Sequence, residues 1–186
     1  MASDPRLGER INLFSLVTYL PEPLGSFIDL LRGELVPGCA LRAHVTVLPP
    51  RPLSEPAEEA AAKIRSALAE FEPFELRLGD VEIFTMSSVV YLALSKGADE
   101  MRRLHDALNV AAAPFAEPFP FHPHVTLAQQ ISAEQVPDVF EHAHYRWAEF
   151  RHKRSFLVDH ATFVQAINLY CWVDLEECPI GSKPKQ

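Results

Sequence analysis

The residues of this chain best suited to acid–base chemistry lie in two copies of the tetrapeptide His-Val-Thr-aliphatic, at residues 44–47 and 124–127. Because side chains alternate between the two faces of a β-strand, the histidine and the threonine of each copy share one face. An imidazole titrates near neutral pH, so one histidine can remove a proton while the other donates one. Threonine hydroxyls can hydrogen-bond an oxygen that gains negative charge. The four candidate site residues are therefore His44, Thr46, His124 and Thr126.

Strand and helix patterns alternate around the first copy. A β-rich apolar run predicts an opening strand, and apolar residues at helical spacing behind it predict a helix. Ser54 and the alanine-rich run that follows predict an N-capped helix. Gly79 lies within the last strand of this half, where it favours a bulge. The predicted elements are strand 11–20, helix 22–35, strand 43–48 ended by Pro49-Pro50, helix 54–71 and strand 74–84.

The second half of the chain repeats this order of elements. Its predicted elements are strand 89–94, helix 98–113, strand 124–128, helix 132–142 and two strand-like segments at 147–158 and 161–175. Each half therefore consists of a strand, a helix, a His-Val-Thr strand, a helix and a strand. Internal repetition determines the whole fold, so it carries more weight here than any single motif.

The repeat predicts an α+β fold with a duplicated β-α-β-α-β arrangement. We expect one domain of two pseudo-symmetric lobes, with repeats at about 10–86 and 87–175 and a tail at 176–186. A pseudo-twofold axis would place the two His-Val-Thr strands on opposite walls of one cleft. An acid and a base on opposite sides, with hydroxyl donors between them, suit an in-line displacement at phosphorus. No metal is needed if the substrate is already strained, as a cyclic phosphodiester is.

The bulk properties restrict the partners. The chain has 186 residues and a formal net charge of −8, so we expect no general binding to duplex DNA, which requires lysine and arginine at the phosphates. A small anion in a local pocket remains compatible with this charge. The odd number of cysteines, three, and the absence of a signal-like or membrane-spanning run lead us to expect reduced thiols and a cytoplasmic protein without membrane association.

The two motifs resemble the paired H-x-T-x signature of the 2H phosphoesterase superfamily. Within it, the chain is most similar to the bacterial 2′-5′ RNA ligase-like, RNA 2′,3′-cyclic phosphodiesterase branch, over about residues 10–175. The resemblance implies two lobes with antiparallel sheets around a central cleft. It implies hydrolysis of the 2′,3′-cyclic phosphates of nucleotides or RNA ends, commonly to 2′-phosphates, with reversible 2′-5′ ligation in some members. His44 and His124 would be the general acid/base pair, Thr46 and Thr126 would bind the phosphate, and no metal or cofactor would be required.

Two positions depart from the family pattern. Ala43 precedes the first motif, where proline is common, and Gln129 follows the second, where many ligase-like members carry arginine. The missing cation and the acidic composition favour a substrate smaller than a long RNA. We therefore expect the substrate to be a cyclic nucleotide or the 2′,3′-cyclic phosphate end of an RNA. We also expect the protein to be a monomer.

Other functions and other roles for single residues stay open from the sequence alone. The cleft could belong to a nucleotide- or oligonucleotide-binding module, or to a phosphodiesterase of linear 2′-5′ linkages; both histidines and both threonines are intact, which favours an enzyme. His122 and His124 could share a strand face as metal ligands, but no third ligand has a helpful spacing. The sequence does not assign the acid and the base. Base stacking is conceivable, beside the more common core packing, at Phe14, Tyr91, Phe119 and Phe121.

Overall fold

Two four-stranded antiparallel sheets and four helices form the fold, which confirms the predicted α+β class. The structure is a computed structural model that describes residues 10–39, 41–84, 86–168 and 171–181. The strands are β1 (Phe14–Tyr19), β2 (His44–Arg51), β3 (Phe74–Phe84), β4 (Val89–Lys96), β5 (Val125–Ala128), β6 (Ser155–Val158), β7 (His160–Asn168) and β8 (Cys171–Pro179). The first sheet has the order β2-β1-β7-β8 and the second has the order β5-β4-β3-β6.

The helices connect the two sheets in a reciprocal way. They are α1 (Leu24–Leu35), α2 (Ala57–Leu68), α3 (Ala98–Ala111) and α4 (Val136–Glu149). Helix α1 of the first half packs against β5 and α4, whereas α3 of the second half packs against β2 and α2. Each His-Val-Thr strand is therefore supported by a helix from the other half of the chain. In the part of the chain that the structure describes, no helix is both long and apolar enough to cross a membrane.

The sheets do not follow the boundary of the sequence repeats. Strand β3 belongs to the first predicted repeat but pairs with β4 and β6 of the second sheet, while β7 pairs with β1. Strand β8 runs to Pro179, four residues into the segment predicted to be a tail. The division of the chain into one domain of two lobes stays a prediction.

Strand β2 continues further than the sequence predicts. The prediction that Pro49-Pro50 ends the strand is wrong, because β2 includes both prolines and ends at Arg51. Strand β2 lies at the edge of the first sheet, with β1 as its neighbour. An edge strand tolerates proline, since the missing backbone N–H need not face a partner strand.

The second half differs from the prediction at its end. Residues 147–149, predicted as strand, are the last turn of α4. Trp147 lies one helical turn after Ala143, and both side chains are on the buried face of the helix. The single strand predicted at 161–175 is two paired strands, β7 and β8.

Helix α2 begins at Ala57 with Pro56 at its N-cap, so the predicted cap at Ser54 is also wrong. The cap has no side-chain hydrogen bond, so the helix start does not depend on a serine hydroxyl.

The bulge predicted at Gly79 is confirmed. The register between β3 and β4 shifts between Leu78 and Val81, on either side of this glycine. The Gly79 carbonyl accepts a 2.8 Å hydrogen bond from the Trp147 indole N–H. The irregular backbone of β3 thus provides an acceptor that fixes α4 on the second sheet.

Candidate active site

The two motif segments have the same burial pattern, position by position, over residues 41–48 and 121–128. In both, the aliphatic residues are buried in the core, as Val45 is at 0% exposure and Leu127 at 1%. The histidine and threonine between them are partly exposed. The alternation predicted from the sequence is therefore observed in both strands, and each strand presents its polar pair on an open face while its apolar pair anchors it.

The two histidines are held by equivalent hydrogen bonds. Nδ1 of His44 lies 2.6 Å from the Arg42 carbonyl oxygen, and Nδ1 of His124 lies 2.6 Å from the His122 carbonyl oxygen. A carbonyl oxygen only accepts, so Nδ1 carries the proton in both rings. In the neutral ring, Nε2 is then the atom with a free lone pair. Both imidazoles are thereby fixed in the same tautomer.

One cavity of about 870 Å³ contains three of the four predicted residues in its wall. Thr46 of the first sheet and Thr126 of the second sheet both line it, together with His124. His44 lies two positions before Thr46 on β2, and β2 is in contact with β5. The volume is in the range of small-molecule sites. The structure thus brings together residues that are about eighty positions apart in the sequence.

Burial and nearby charges favour the neutral form of both histidines. Burial lowers the pKa of His44 to about 4, and the positive charges of Arg32 and His124 act in the same direction, against the hydrogen bond to Arg42. Burial likewise lowers the pKa of His124 against the hydrogen bond to His122, whose charge lowers it further. Without a bound anion, both rings are therefore free bases at neutral pH.

This lowered pKa predicts a loss of stability in acid. The unfolded chain binds a proton at His44 below a pH of about 6.5 while the folded chain does not, so stability present above that pH is lost toward pH 4. The variant His44→Asn keeps a donor for the Arg42 carbonyl oxygen but cannot titrate. Between pH 6.5 and pH 4, we expect its free energy of unfolding to fall by about 2 kcal/mol less than that of the wild-type protein. Urea unfolding at several pH values measures this; parallel curves for the two proteins would contradict it.

Each histidine has a tyrosine beside it on the neighbouring strand. Tyr19 of β1 stands opposite His44, with ring centroids 6.4 Å apart, and its hydroxyl donates to Asp174 at 2.6 Å. Tyr91 of β4 lies 5.2 Å from the His124 ring and donates to Glu82 at 2.8 Å. Burial, reinforced by these carboxylates, raises the pKa of both phenols, to about 12 for Tyr91. Both phenols remain protonated hydrogen-bond donors at neutral pH.

The sequence alone does not single out Tyr19 as a neighbour of His44. A sequence pattern that relates the two tyrosines does exist: Tyr19 and Tyr91 lie in the opening strands of the two halves, 25 and 33 positions before His44 and His124. Tyr91 was considered only for base stacking or core packing. In the structure, each tyrosine is instead a neighbour of a motif histidine on the adjacent strand. This proximity depends on the register of strand pairing in each sheet, which the sequence does not specify.

Aromatic and proline side chains line much of the cavity next to His124. Phe84 stacks on Tyr91 with ring centroids 4.0 Å apart and contacts His124 edge-on at 5.1 Å. Phe119 is 71% exposed and lines the cavity, as Phe121 does. Of the four aromatic residues considered for base stacking, Phe119 and Phe121 thus line the cavity. Phe14 is instead buried against Phe163 in the first sheet.

A buried polar network holds the loop that carries this aromatic wall. Arg51, 1% exposed, donates to the Glu117 carboxylate, the Asn109 side chain and the Ala113 carbonyl oxygen. His105 lies 2.8 Å from the same Glu117 oxygen. The His105 ring also stacks on Phe121 with centroids 3.9 Å apart. The loop therefore has a fixed position relative to β2 and α3.

Two further sets of residues, His122 and the basic segment 151–154, are candidates by sequence for metal or phosphate binding. The rings of His122 and His124 are 6.2 Å apart, and across residues 10–39, 41–84, 86–168 and 171–181 no three His, Cys, Asp or Glu side chains group as metal ligands do. In the basic sequence RHKR at residues 151–154, Arg154 stacks on Trp147, with the guanidinium carbon 4.2 Å from the ring centroid. Arg151 and Lys153 are exposed.

A match to a protein-family model establishes the family. The model described as the 2′-5′ RNA ligase superfamily matches residues 21–168. The chain therefore belongs to the 2′-5′ RNA ligase superfamily, and the resemblance seen in the two motifs is confirmed.

The RNA 2′,3′-cyclic phosphodiesterase of Aeropyrum pernix is 34% identical over 102 residues, which cover 50% of this chain and 56% of that protein. The match thus spans little more than half the length of this curated relative.

Solved structures share the fold at low sequence identity. The apo form of E. coli LigT has a TM-score of 0.62 at 21% identity, covering 92% of this chain and 98% of that chain. A protein of Thermus thermophilus has a TM-score of 0.63 at 19% identity, covering 92% and 100%. Usb1 of Kluyveromyces marxianus has a TM-score of 0.58 at 14% identity, covering 91% and 98%. These similarities establish the fold.

Proposed function

We propose that this chain is a metal-independent enzyme that hydrolyses the 2′,3′-cyclic phosphates of nucleotides or RNA ends to 2′-phosphates. The observation that carries the proposal is the pair of histidines with Nδ1 bound to a backbone carbonyl and Nε2 left for substrate. Thr46 and Thr126 line one cavity with His124, and His44 lies two residues before Thr46 on β2; the two hydroxyls would hydrogen-bond the non-bridging phosphate oxygens. The relative in Aeropyrum pernix bears the name of this activity.

The reaction needs one proton acceptor and one proton donor. A water oxygen attacks phosphorus, and its proton passes to Nε2 of the neutral histidine. The bond between phosphorus and O3′ breaks, and the second histidine, as an imidazolium, protonates O3′. The phosphate thereby stays on O2′. Both rings are neutral before substrate binds, so the negative phosphate must raise the pKa of the donor ring for the reaction to begin.

We assign His44 as the base and His124 as the acid. The positive charge of Arg32 disfavours the imidazolium form of His44, whose pKa is lowered to about 4 mainly by burial. His124 lies among the π-systems of Phe84 and Tyr91, at 5.1 and 5.2 Å between ring centroids. Aromatic rings attract a neighbouring cation, so Phe84 and Tyr91 support an imidazolium at His124 against the charge of His122, whereas His44 has only Tyr19, at 6.4 Å between ring centroids.

The aromatic wall supports a nucleotide rather than a bare phosphate as substrate. Phe84, Phe119 and Phe121 line the cavity next to His124, where a base could stack. E. coli LigT, which shares this fold, has been crystallised with phosphate, 3′-AMP, ATP and NADP+. The net charge of −8 agrees with a small ligand held in a local site rather than a long duplex.

Hydrolysis of the four nucleoside 2′,3′-cyclic phosphates in the presence of EDTA tests the proposal. We expect turnover that the chelator does not change, with the nucleoside 2′-phosphate as product on chromatography. Activity that EDTA abolishes would favour a metal-dependent hydrolase. If no cyclic phosphate is hydrolysed, RNA ends and linear 2′-5′ dinucleotides are the next substrates. Binding without turnover of any of these would identify a nucleotide-binding module, and joining of RNA ends would identify ligase activity.

Truncation of the threonines should cost less than truncation of the histidines. We expect Thr46→Ala and Thr126→Ala each to lower kcat/KM about tenfold, because each removes one hydrogen bond to a charged phosphate. Thr46→Ser and Thr126→Ser, which keep the hydroxyl, are the matched controls. Steady-state kinetics on one cyclic phosphate measures this. A serine variant as defective as its alanine counterpart would show that the methyl group, and not the hydroxyl, is required.

The cellular setting is also part of the proposal. Cys39, Cys171 and Cys178 are free thiols, which agrees with a reducing compartment. We expect a cytoplasmic monomer on this basis and because the proposed site uses residues of one chain alone. Light scattering measures the oligomeric state.

A further inference from the structure

Arg32 is a buried cation for which the structure provides little compensation. This residue of α1 is 3% exposed, and its Nε has no hydrogen-bond partner. Its Nη1 makes one long contact, 3.5 Å to the Arg42 carbonyl oxygen. Among the described residues, no carboxylate lies within salt-bridge distance of its guanidinium group. A buried charge without an ion pair is costly to the fold, so a native structure retains one for a reason.

Arg51, the second buried arginine, has a structural role and can be compared with Arg32. Arg51 is 1% exposed and donates to two backbone carbonyl oxygens, the Asn109 side chain and the Glu117 carboxylate. Its donors are thus used by protein groups, and it holds two segments together. Arg32 has the same burial without these partners, so its guanidinium donors are available to a ligand.

Arg32 lines a second cavity that adjoins the proposed active site. This cavity has a volume of about 210 Å³, and its other polar side chains include Thr126, Gln129 and Gln130. Thr126 and Gln129 also line the larger cavity, so the two spaces meet at β5 and the residue that follows it. Neither motif histidine lines the small cavity. It therefore lies beside the reacting phosphate rather than around it.

The chemistry of the small cavity fits a phosphate group. A guanidinium offers several donors in a plane that matches two phosphate oxygens, and such charge-assisted bonds are stronger than neutral ones. The amides of Gln129 and Gln130 and the hydroxyl of Thr126 can add neutral donors. A volume of about 210 Å³ is below the usual range for a whole drug-sized ligand, so it suits one substituent of a larger substrate.

We infer that Arg32 binds a second phosphate of the substrate, next to the cyclic phosphate that reacts. The inference rests on the proposed function and names its substrate class, a 2′,3′-cyclic phosphate that carries a further phosphate on the same nucleotide. Arg32 provides the cation close to Gln129, which itself carries no charge. The positive charge that Arg32 exerts on His44 agrees with a position close to the reacting groups.

The test compares adenosine 2′,3′-cyclic phosphate with its 5′-phosphorylated form. We expect wild-type protein to prefer the 5′-phosphorylated substrate about tenfold or more in kcat/KM, and Arg32→Met to reduce this ratio to near one. The ratio cancels any change in His44 that removal of the charge causes. Arg65→Met removes an exposed arginine paired with Glu176 and is the matched control, which should keep the preference.

The outcomes separate this inference from the proposed function. If Arg32→Met lowers kcat/KM for both substrates equally and the ratio is unchanged, the second-phosphate site is wrong. If wild-type protein hydrolyses neither substrate, the proposed function fails for mononucleotides, and calorimetric affinities for the same two nucleotides decide on Arg32. Tighter binding of the 5′-phosphorylated form that is lost in Arg32→Met supports the site, whereas equal affinities overturn it.

A second variant keeps the test valid if Arg32→Met does not fold. Gln129 is exposed, so Gln129→Glu should fold and would place a negative charge at the small cavity. We expect this variant to lower the preference for the 5′-phosphorylated substrate severalfold, through repulsion of the second phosphate. Gln129→Asn, without the charge, is its control. An unchanged preference in Gln129→Glu would overturn the inference.

Discussion

Replacement of either motif histidine by alanine should lower kcat for a nucleoside 2′,3′-cyclic phosphate by about 10²- to 10⁴-fold, because each variant lacks one of the two proposed proton-transfer groups. His44→Ala removes the proposed base, and His124→Ala removes the proposed acid. Each ring makes one hydrogen bond, to a carbonyl oxygen two residues earlier. Initial rates with EDTA present measure the effect.

Controls decide whether the loss is chemical. His152 is exposed, and its substitution by alanine should leave kcat unchanged. Circular dichroism and urea unfolding establish that the inactive variants are folded. A double variant lacking both histidines should be little worse than the single variants, since two groups that act on one transition state are not additive. Retention of more than a tenth of wild-type kcat by either single variant would show that its histidine does not transfer a proton.

The second large effect separates the acid from the base. A substrate in which sulfur replaces the bridging O3′ has a leaving group that departs as a thiolate and needs no protonation. We expect the defect of His124→Ala to shrink at least a hundredfold on this substrate, because the general acid is no longer required. The defect of His44→Ala should stay, because water must still lose its proton. Single-turnover rates on the oxygen and sulfur substrates measure the two defects.

The opposite pattern would reverse the assignment. Rescue of His44→Ala with no rescue of His124→Ala would make His44 the acid, despite the charge of Arg32 beside it. Rescue of neither variant would mean that neither histidine is the general acid. The experiment therefore tests the role of each ring separately.

The polar face of each motif strand followed from the sequence because it depends only on local alternation. His44 and Thr46 share a face in any strand, and the aliphatic residues between and after them mark the buried side. The order of elements was equally accessible, because helix and strand periods are local properties of the chain. The matched tetrapeptides then indicated that the two strands form one site.

Pairings between distant segments were not accessible in this way. Nothing local in β3 shows that it pairs with β4 and β6 rather than with the strands of its own repeat. Arg32 looks like an ordinary helix residue, and its burial depends on the packing of α1 against β5. Tyr19 stands opposite His44 only because of the register between β1 and β2. Each of these properties is set by tertiary contacts that a single sequence does not specify.

The sheet order also dictates when the site can form during synthesis of the chain. The second sheet uses residues 74–158 only, so it can be completed while the rest is still being made. The first sheet instead pairs β1 with β7, which is synthesised after all four strands of the second sheet, and β7 with β8. Contacts between such distant segments form slowly. Because the larger cavity has walls from both sheets, it is complete only when β2 of the first sheet has packed against β5 of the second.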